Sequence, residues 1–349
     1  MNKYYTRACN FYYGKTSKTN IKNKNAIPLN GINSISFDKI EIIHRKKTKI
    51  INLNDISKLP IKLKNKVNRD LKNIKKKRKF KKLNLSNKPI LMGIINLTPD
   101  SFSDGGKYNK KNLAKKRVRR LLSNGAKIID VGGESTRPGA SDIHPAKEWD
   151  RIKFILKILK NKKSFISLDT RKSFVMKKAS KIKIDLINDV SGLSYDPKTI
   201  NFLKKTKKPF VIHHMKGTPK NMQIKPTYKN VLLDIYDFFE TKLKYLRKIG
   251  IKHNNIILDP GIGFGKNLKH NITLIKNISI FHSLGLPVML GLSRKRFIKD
   301  ISKENDTKDR IGGTISSCIQ AYLQGVQILR VHDVKEINQA FKVFKELQN

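Results

Sequence analysis

The sequence has little cysteine, no long apolar run and no apolar segment at its start. Its two cysteines, Cys9 and Cys318, lie far apart and in no metal-ligand spacing, which excludes a disulfide framework and a zinc ribbon and favours a reducing compartment. No apolar run approaches the roughly 18 residues that a membrane span needs. The N-terminus lacks the apolar core of a secretory signal. We therefore expect a cytoplasmic protein with no membrane partner.

Acidic residues are also scarce, at 26 against 76 Lys and Arg, so the formal net charge is +50. The run Lys72–Lys82 is the densest basic stretch, and clustered cations bind nucleic acid without sequence preference. However, 61 of the basic residues are Lys and 15 are Arg, and they occur on nearly every polar stretch. A dedicated recognition surface favours Arg. We expect no specific nucleic-acid partner.

The length of 349 residues fits two domains, or one α/β barrel with an appendage. Short apolar stretches alternate with polar residues at period two between Ile27 and Leu53, which predicts a few antiparallel strands. Leu59–Lys82 is typical of a basic helix or linker. We expect a small basic N-terminal extension, part β, over 1–89, and a catalytic domain over 90–349. Nothing in the sequence indicates the role of the extension.

From residue 90 onward, short apolar strands alternate with amphipathic helical segments. Strands are predicted at 90–95, 127–131, 165–169, 184–188, 209–213, 255–259, 287–291 and 327–331. Helices include 112–124, 146–160, 228–249, 269–283, 309–324 and 334–347. Eight such units predict a (β/α)8 TIM barrel, whose usual size is about 250 residues. A doubly wound open sheet is the alternative, but it favours fewer repeats and a GxGxxG after its first strand, which is absent.

Polar residues follow the predicted strands, where a TIM barrel builds its active site. Asp169, Asn188 and Asp259 offer donors and acceptors to a flat polar heterocycle. An anion can be held by the cations and hydroxyls of Ser135, Thr136, Arg137, Ser293, Arg330 and His332. Asn96, Asp100 and Asp104 carry the oxygens that Mg²⁺ prefers. A lone Asp at a strand end is more often a helix cap or turn former than a catalyst, but together these residues predict one site.

Eight ordered blocks resemble dihydropteroate synthases, over residues 90–346. They are MGIINLTPDSFSDGG (92–106), GAKIIDVGGESTRPGA (125–140), SLDTRK (167–172), INDVSGL (187–193), HMKGTP (214–219), ILDPGIGFGKN (257–267), GLSRKRFI (291–298) and LRVHDV (329–334). Eight blocks in order are far more specific than one short motif. The departures are small: Leu97 stands where Val is common, and His213 precedes the usual His-Met pair.

The resemblance implies condensation of (7,8-dihydropterin-6-yl)methyl diphosphate with 4-aminobenzoate, giving 7,8-dihydropteroate and pyrophosphate in folate synthesis. It implies pterin binding by Asp169, Asn188, Met215, Asp259, Phe264 and Lys295. It implies diphosphate binding by Asn96, Arg330 and His332, with Mg²⁺ on Asn96, and 4-aminobenzoate binding by Phe102, Thr136, Arg137, Pro138 and Ser293. Catalysis is expected from Asp104, Asp169, Lys295, Arg330 and His332. A homodimer and sulfonamide binding are also implied.

Two other functions remain open from the sequence. A corrinoid-type pterin-binding methyltransferase shares the barrel and the pterin contacts, but it needs no anion site. A basic RNA-binding protein accounts for the charge of +50 but not for the polar strand ends.

Overall fold

The N-terminal extension is an antiparallel sheet flanked by helices. In this computed structural model, which describes residues 3–80, 83–85, 89–98 and 107–348, its elements are β1 (Tyr5–Tyr13), α1 (Gly14–Lys22), β2 (Ile27–Leu29), β3 (Ile32–Ile43), β4 (Thr48–Asn52), a 3₁₀ helix (Leu53–Lys58) and α2 (Ile61–Lys75). The long strand β3 pairs with β1 on one side, and with β2 and β4 on the other. The predicted antiparallel strands are confirmed. β1 and α1 were not predicted, since α1 (GKTSKTNIK) has almost no apolar periodicity.

A small hairpin leads into a parallel barrel. The hairpin strands are β5 (Lys79–Phe80) and β6 (Leu83–Asn84). The barrel strands are β7 (Ile90–Asn96), β8 (Ile128–Gly132), β9 (Phe165–Asp169), β10 (Leu186–Asp189), β11 (Phe210–His213), β12 (Ile256–Asp259), β13 (Met289–Gly291) and β14 (Ile328–Val331). Their order is β12-β11-β10-β9-β8-β7-β14-β13, and a bridge between Leu258 and Val288 joins the two edges. The predicted eight-stranded TIM barrel is confirmed.

Helices surround the barrel: α3 (Lys107–Ser123), α4 (Pro145–Lys160), α5 (Ser173–Ser180), α6 (Lys198–Thr206), α7 (Val231–Lys248), α8 (Leu268–Lys276), α9 (Arg296–Ser302), α10 (Ile311–Leu323) and α11 (Val334–Leu347). 3₁₀ helices cover His253–Asn255 and Ile278–Leu284. The prediction of one helix over 269–283 is wrong, because Asn277 leaves helical geometry (φ −125°, ψ 22°) and splits the segment. α5, α6 and α9 were not predicted, since seven to nine residues give a weak period.

Side chains alternate between the two surfaces of the barrel wall. Leu91, Ile129 and Leu168 belong to the core that packs under the helices. Met92 and Ile128 belong to a second core inside the barrel, which also contains Phe80 and Leu85 beside the hairpin. The hairpin therefore plugs the N-terminal end of the barrel. The next inward positions toward the opposite end are free to carry a site.

The extension packs on one side of the barrel. Tyr5 is fully buried and its ring meets Tyr236 of α7 edge-on, with centroids 5.1 Å apart. The Tyr5 hydroxyl donates to Asp237 at 2.9 Å, and Ser279 Oγ donates to the Ala8 carbonyl at 3.0 Å. Cys9 and Cys318 are both free and buried. No helix in the described ranges is long and apolar enough to cross a membrane.

Candidate active site

Polar residues occupy neighbouring strand ends at one mouth of the barrel. Asn96 on β7 is level with Gly132 on β8, which is level with Asp169 on β9, and Asp169 is level with Asn188 on β10. In the same way, His213 on β11 pairs with Asp259 on β12, and Gly291 on β13 pairs with Arg330 on β14. The structure thus brings Asn96, Asp169, Asn188, Asp259 and Arg330 to the same rim.

An ion cluster lies at the centre of this rim. Arg330 Nε donates to Asp130 Oδ2 at 2.6 Å, and its Nη2 donates to Asp169 Oδ2 at 2.6 Å. Asn188 Nδ2 lies 3.2 Å from the same Asp130 oxygen. Burial opposes the charge of Arg330, but the carboxylates of Asp130 and Asp169 outweigh it and raise the pKa of Arg330. Arg330 is therefore held as a fixed cation between two carboxylates.

Asp130 was missed as a site residue because it lies inside β8 and not after it. Its side chain is fully buried, at the inward position just below the rim. The sequence did contain a signal for Asp130, because a carboxylate within an apolar strand (IIDVG) needs a charged or hydrogen-bonding partner to offset the cost of its burial. Asp130 Oδ1 and Asn188 Oδ1 are buried without a hydrogen-bond partner in the described part of the chain. Two acceptors thus remain for a ligand that carries N–H groups.

A cavity opens beside the ion cluster. Its lining residues are Asn188, Val190, His213, Asp259, Ile262, Phe264, Gly291, Lys295 and Arg330. Phe264 forms an apolar wall, with the Lys295 ammonium 4.3 Å from its ring centroid and the His213 ring edge-on at 4.5 Å. The cavity therefore pairs an apolar face with a polar edge, as binding sites for flat heterocycles do.

Burial shifts the ionisation of the groups around this cavity. It raises the pKa of Asp169, opposed by the Arg330 cation, and it raises the pKa of Asp259 to about 6, opposed by the Gly261 N–H. Burial, followed by repulsion from Arg330, lowers the pKa of Lys295 to about 8. Such displaced values are typical of functional sites. Burial therefore favours the neutral forms of Asp259 and Lys295.

The loop after β12 is built by tight backbone contacts. Gly261 has φ +70°, and a Cβ there would lie 2.0 Å from the His214 carbonyl oxygen. Lys266, which was not predicted as a site residue, is fully enclosed, and its Nζ donates to the Phe264 carbonyl at 2.8 Å and contacts His214 Nδ1 at 3.0 Å. Lys266 thus fixes the backbone that presents Phe264. Met215 is half-buried and lies two residues after His213, which lines the cavity.

A second group of predicted residues lies farther round the rim. Ser293 is buried, and its Oγ accepts from the His332 backbone N–H at 3.2 Å. Burial, with the nearby Arg330 cation, lowers the pKa of His332 to about 3. His332 is therefore neutral at physiological pH.

The remaining predicted residues lie on two loops. The β8–α4 loop, residues 133–144, carries Thr136, which is half-buried, and the exposed Arg137 and Pro138. None of these three is among the residues that line the cavity. Phe102 and Asp104, with Asp100, lie outside the described residues.

Comparisons with known proteins show the family to which this chain belongs. The model of the family described as pterin binding enzyme matches residues 92–332. Dihydropteroate synthase of Escherichia coli K12 is 39% identical over 256 residues, which cover 73% of this chain and 90% of that protein. Yersinia pestis dihydropteroate synthase, solved as a complex with a sulfonamide drug, has a TM-score of 0.72 and 39% identity, with 76% and 96% of the two chains covered.

A further solved relative carries a pterin compound. The Xanthomonas albilineans dihydropteroate synthase, in complex with 7,8-dihydropteroate, has a TM-score of 0.69 and 31% identity, covering 76% of this chain and 95% of that one. The extension lies before the matched family region, which begins at residue 92. The chain belongs to the pterin-binding enzyme family and, within it, to the dihydropteroate synthases, the transferases that condense (7,8-dihydropterin-6-yl)methyl diphosphate with 4-aminobenzoate in folate synthesis.

Proposed function

We propose that the cavity at the barrel mouth binds the pterin of the first substrate. The observation that carries this assignment is the pair of buried, unpartnered acceptors, Asp130 Oδ1 and Asn188 Oδ1. Asn188 lines the cavity together with the apolar Phe264, and Asp130 lies directly behind Asn188, bonded to its Nδ2. A pterin presents N–H groups along one edge and a flat face. The polar edge of the pterin is bound by hydrogen bonds with Asp169, Asn188, Asp259 and Lys295. Its flat face packs against Met215 and Phe264.

The diphosphate lies next to Arg330, His332 and Asn96 in this proposal. A guanidinium has five N–H donors, and Arg330 gives two of them to Asp130 and Asp169. The remaining N–H groups of Arg330 can donate to phosphate oxygens. Because its ion pairs already fix the guanidinium, little reorganisation is needed when the diphosphate binds. The neutral ring of His332 can donate one N–H. Arg330 therefore stabilises the pyrophosphate as it leaves.

We propose Mg²⁺ as the cofactor, with Asn96 as its protein ligand. The Asn96 amide oxygen and the Asp169 carboxylate lie 3.6 and 3.5 Å from the point where a Cβ on Gly132 would be. Within the described residues no three His, Cys, Asp or Glu side chains form a metal site. One protein oxygen fits a cation that keeps its waters and takes the rest of its ligands from the diphosphate. When bound, the ion supplies positive charge beside the phosphates.

The reaction we propose begins with departure of pyrophosphate. The bond between the pterin methylene carbon and the diphosphate oxygen breaks, and pyrophosphate keeps the electron pair. The neutral amine of 4-aminobenzoate then forms the new C–N bond and loses a proton to the released pyrophosphate. Arg330, His332 and Lys295 meet the negative charge, and Asp169 and Asp104 meet the positive charge on the pterin.

The second substrate binds on the loops in this proposal. Thr136, Arg137 and Pro138 of the β8–α4 loop, Ser293 and Phe102 frame 4-aminobenzoate. Excluding water from the site protects the reactive cation. The similarity to dihydropteroate synthases supports a homodimer, and the scarcity of cysteine supports a reducing compartment such as the cytoplasm. The change in sequence pattern after Pro89 supports 1–89 and 90–349 as the two parts of each chain.

The experiment is a pyrophosphate-release assay that requires both substrates, combined with calorimetry of the pterin diphosphate. Asp259→Asn should weaken pterin binding about tenfold to a hundredfold, the range for a hydrogen bond to a charged group. Asp300→Asn is the matched control, since Asp300 pairs with the exposed Arg296 on α9. Unchanged pterin affinity in Asp259→Asn would contradict the assignment of the cavity.

A further inference from the structure

A buried ion network ties both ends of the β8–α4 loop to the neighbouring loop after β9. At the start of the loop, Glu134 accepts from Arg171 Nε at 2.9 Å and from Lys172 Nζ at 2.5 Å. At its end, Asp142 accepts from Arg171 Nη2 at 2.5 Å, and the Ile143 carbonyl accepts from Lys172 Nζ at 2.7 Å. The same two cations therefore fix both ends of the loop.

The network is enclosed by protein on its Glu134 side. The side chains of Arg171 and Glu134 are 4% and 3% exposed. Burial alone would raise the pKa of Glu134, but hydrogen bonds from Arg171 and Lys172 outweigh it and lower this pKa. Glu134 thus stays charged at neutral pH. Charge-assisted bonds of this kind hold their partners in a defined geometry.

Arg171 also reaches a third loop of the rim. Its guanidinium carbon lies 4.0 Å from the ring centroid of Tyr195, in the loop between β10 and α6. The Tyr195 hydroxyl donates to Asp142 at 3.1 Å. Arg171 therefore stands where three consecutive βα loops meet, while lying outside the residues that line the cavity.

The tip of the β8–α4 loop has few anchors of its own. Arg137 and Pro138 are exposed, and the tip is held by a turn bond from Ala140 N to the Arg137 carbonyl at 3.1 Å and a bond from Gly139 N to the Pro219 carbonyl at 2.9 Å. We infer that Arg171 is a positioning residue for the second substrate, because it fixes the loop whose tip meets 4-aminobenzoate. This inference rests on the proposed assignment of that tip.

Steady-state kinetics on the full chain test the inference. Arg171→Met should raise KM for 4-aminobenzoate about tenfold, because small misplacements of a positioning group have effects of this size or larger. The value of kcat should change much less, and calorimetric affinity for the pterin diphosphate should stay unchanged. Arg171→Lys should recover part of the loss. Arg247→Met is the matched control, since Arg247 contacts His253 ahead of β12, at the opposite end of the barrel.

Asp142→Asn is a second test variant, and it should fold normally because the Asp142 side chain is 49% exposed. It should also raise KM for 4-aminobenzoate and should speed amide hydrogen exchange in 135–141. Unchanged KM in both Arg171→Met and Asp142→Asn, with a raised KM in Arg137→Ala, would overturn the inference and leave the loop assignment standing. Unchanged KM in Arg137→Ala as well would overturn the loop assignment itself. If Arg171→Met weakens pterin binding by the same factor as it raises KM for 4-aminobenzoate, Arg171 has a general structural role, and this result would also overturn the inference.

Discussion

Lys295→Gln probes the charge at the cavity edge. In the wild type, burial and the Arg330 cation lower the pKa of Lys295 to about 8, so the ammonium is charged at pH 7 and largely neutral at pH 9. A hydrogen bond from a charged donor contributes about 1.5–3 kcal/mol, which corresponds to a factor of about 10 to 100. At pH 7 the kcat/KM of the variant for the pterin diphosphate should therefore be about 10- to 100-fold lower than that of the wild type.

The loss should shrink as the pH rises, because the wild-type lysine gives up its charge while glutamine has none to lose. Above pH 8 the wild-type-to-variant ratio of kcat/KM should fall by about tenfold for each pH unit, until no charged lysine contributes. Pyrophosphate release at saturating 4-aminobenzoate, measured from pH 6.5 to 9.5, gives this ratio. Titration of the substrate cancels in it, since both enzymes meet the same substrate at each pH. Lys299→Gln, an exposed lysine on α9, is the control. A ratio that stays constant from pH 7 to 9.5 would refute the reasoning.

Three further predictions use other parts of the structure. Arg330→Ala should raise the activation free energy for the pterin diphosphate by about 3–4 kcal/mol, as measured from kcat/KM, which is the range for removing one group that meets transition-state charge. Turnover like that of the wild type would refute the role. Gly261→Ala should lower the free energy of unfolding in urea by about 2 kcal/mol or more, because its Cβ would meet the His214 carbonyl at φ +70°. Gly312→Ala should not lower the free energy of unfolding, because the new Cβ would have no atom within 4 Å apart from the backbone of its own helix. A sulfonamide should raise the apparent KM for 4-aminobenzoate without changing kcat, and a fall in kcat at saturating 4-aminobenzoate would contradict a shared site.

The barrel could be predicted because its signals are local. Each parallel strand is buried on both faces and forms a short apolar run, and every predicted strand overlaps an observed one. The strand ends were found for the same reason, since a polar residue directly after such a run stands out. Short helices such as α5 and the 3₁₀ helix Ile278–Leu284 were harder to predict from the sequence. They are too short to show a clear amphipathic period.

The partners in the site could not be predicted in the same way. Arg330 and Asp130 are 200 positions apart in sequence, and they meet because β8 and β14 lie on either side of β7. The network of Glu134 with Arg171 and Lys172 was missed for a similar reason. The blocks that contain these residues were recognised, but their side chains were not paired, since pairing requires the loops to be placed in space.

A buried charge nevertheless leaves a trace in the sequence. Taking Asp130 out of water in the middle of an apolar strand is costly unless a cation compensates it, so the segment IIDVG already requires a positive partner on another inward position. Among the barrel strands, β14 supplies that partner from within its own run, as Arg330 in ILRV. The strand-internal carboxylate and the strand-internal cation therefore imply each other before any coordinates are known. Closure of the barrel supplies the remaining information, which is that the two strands are close enough to share the pair.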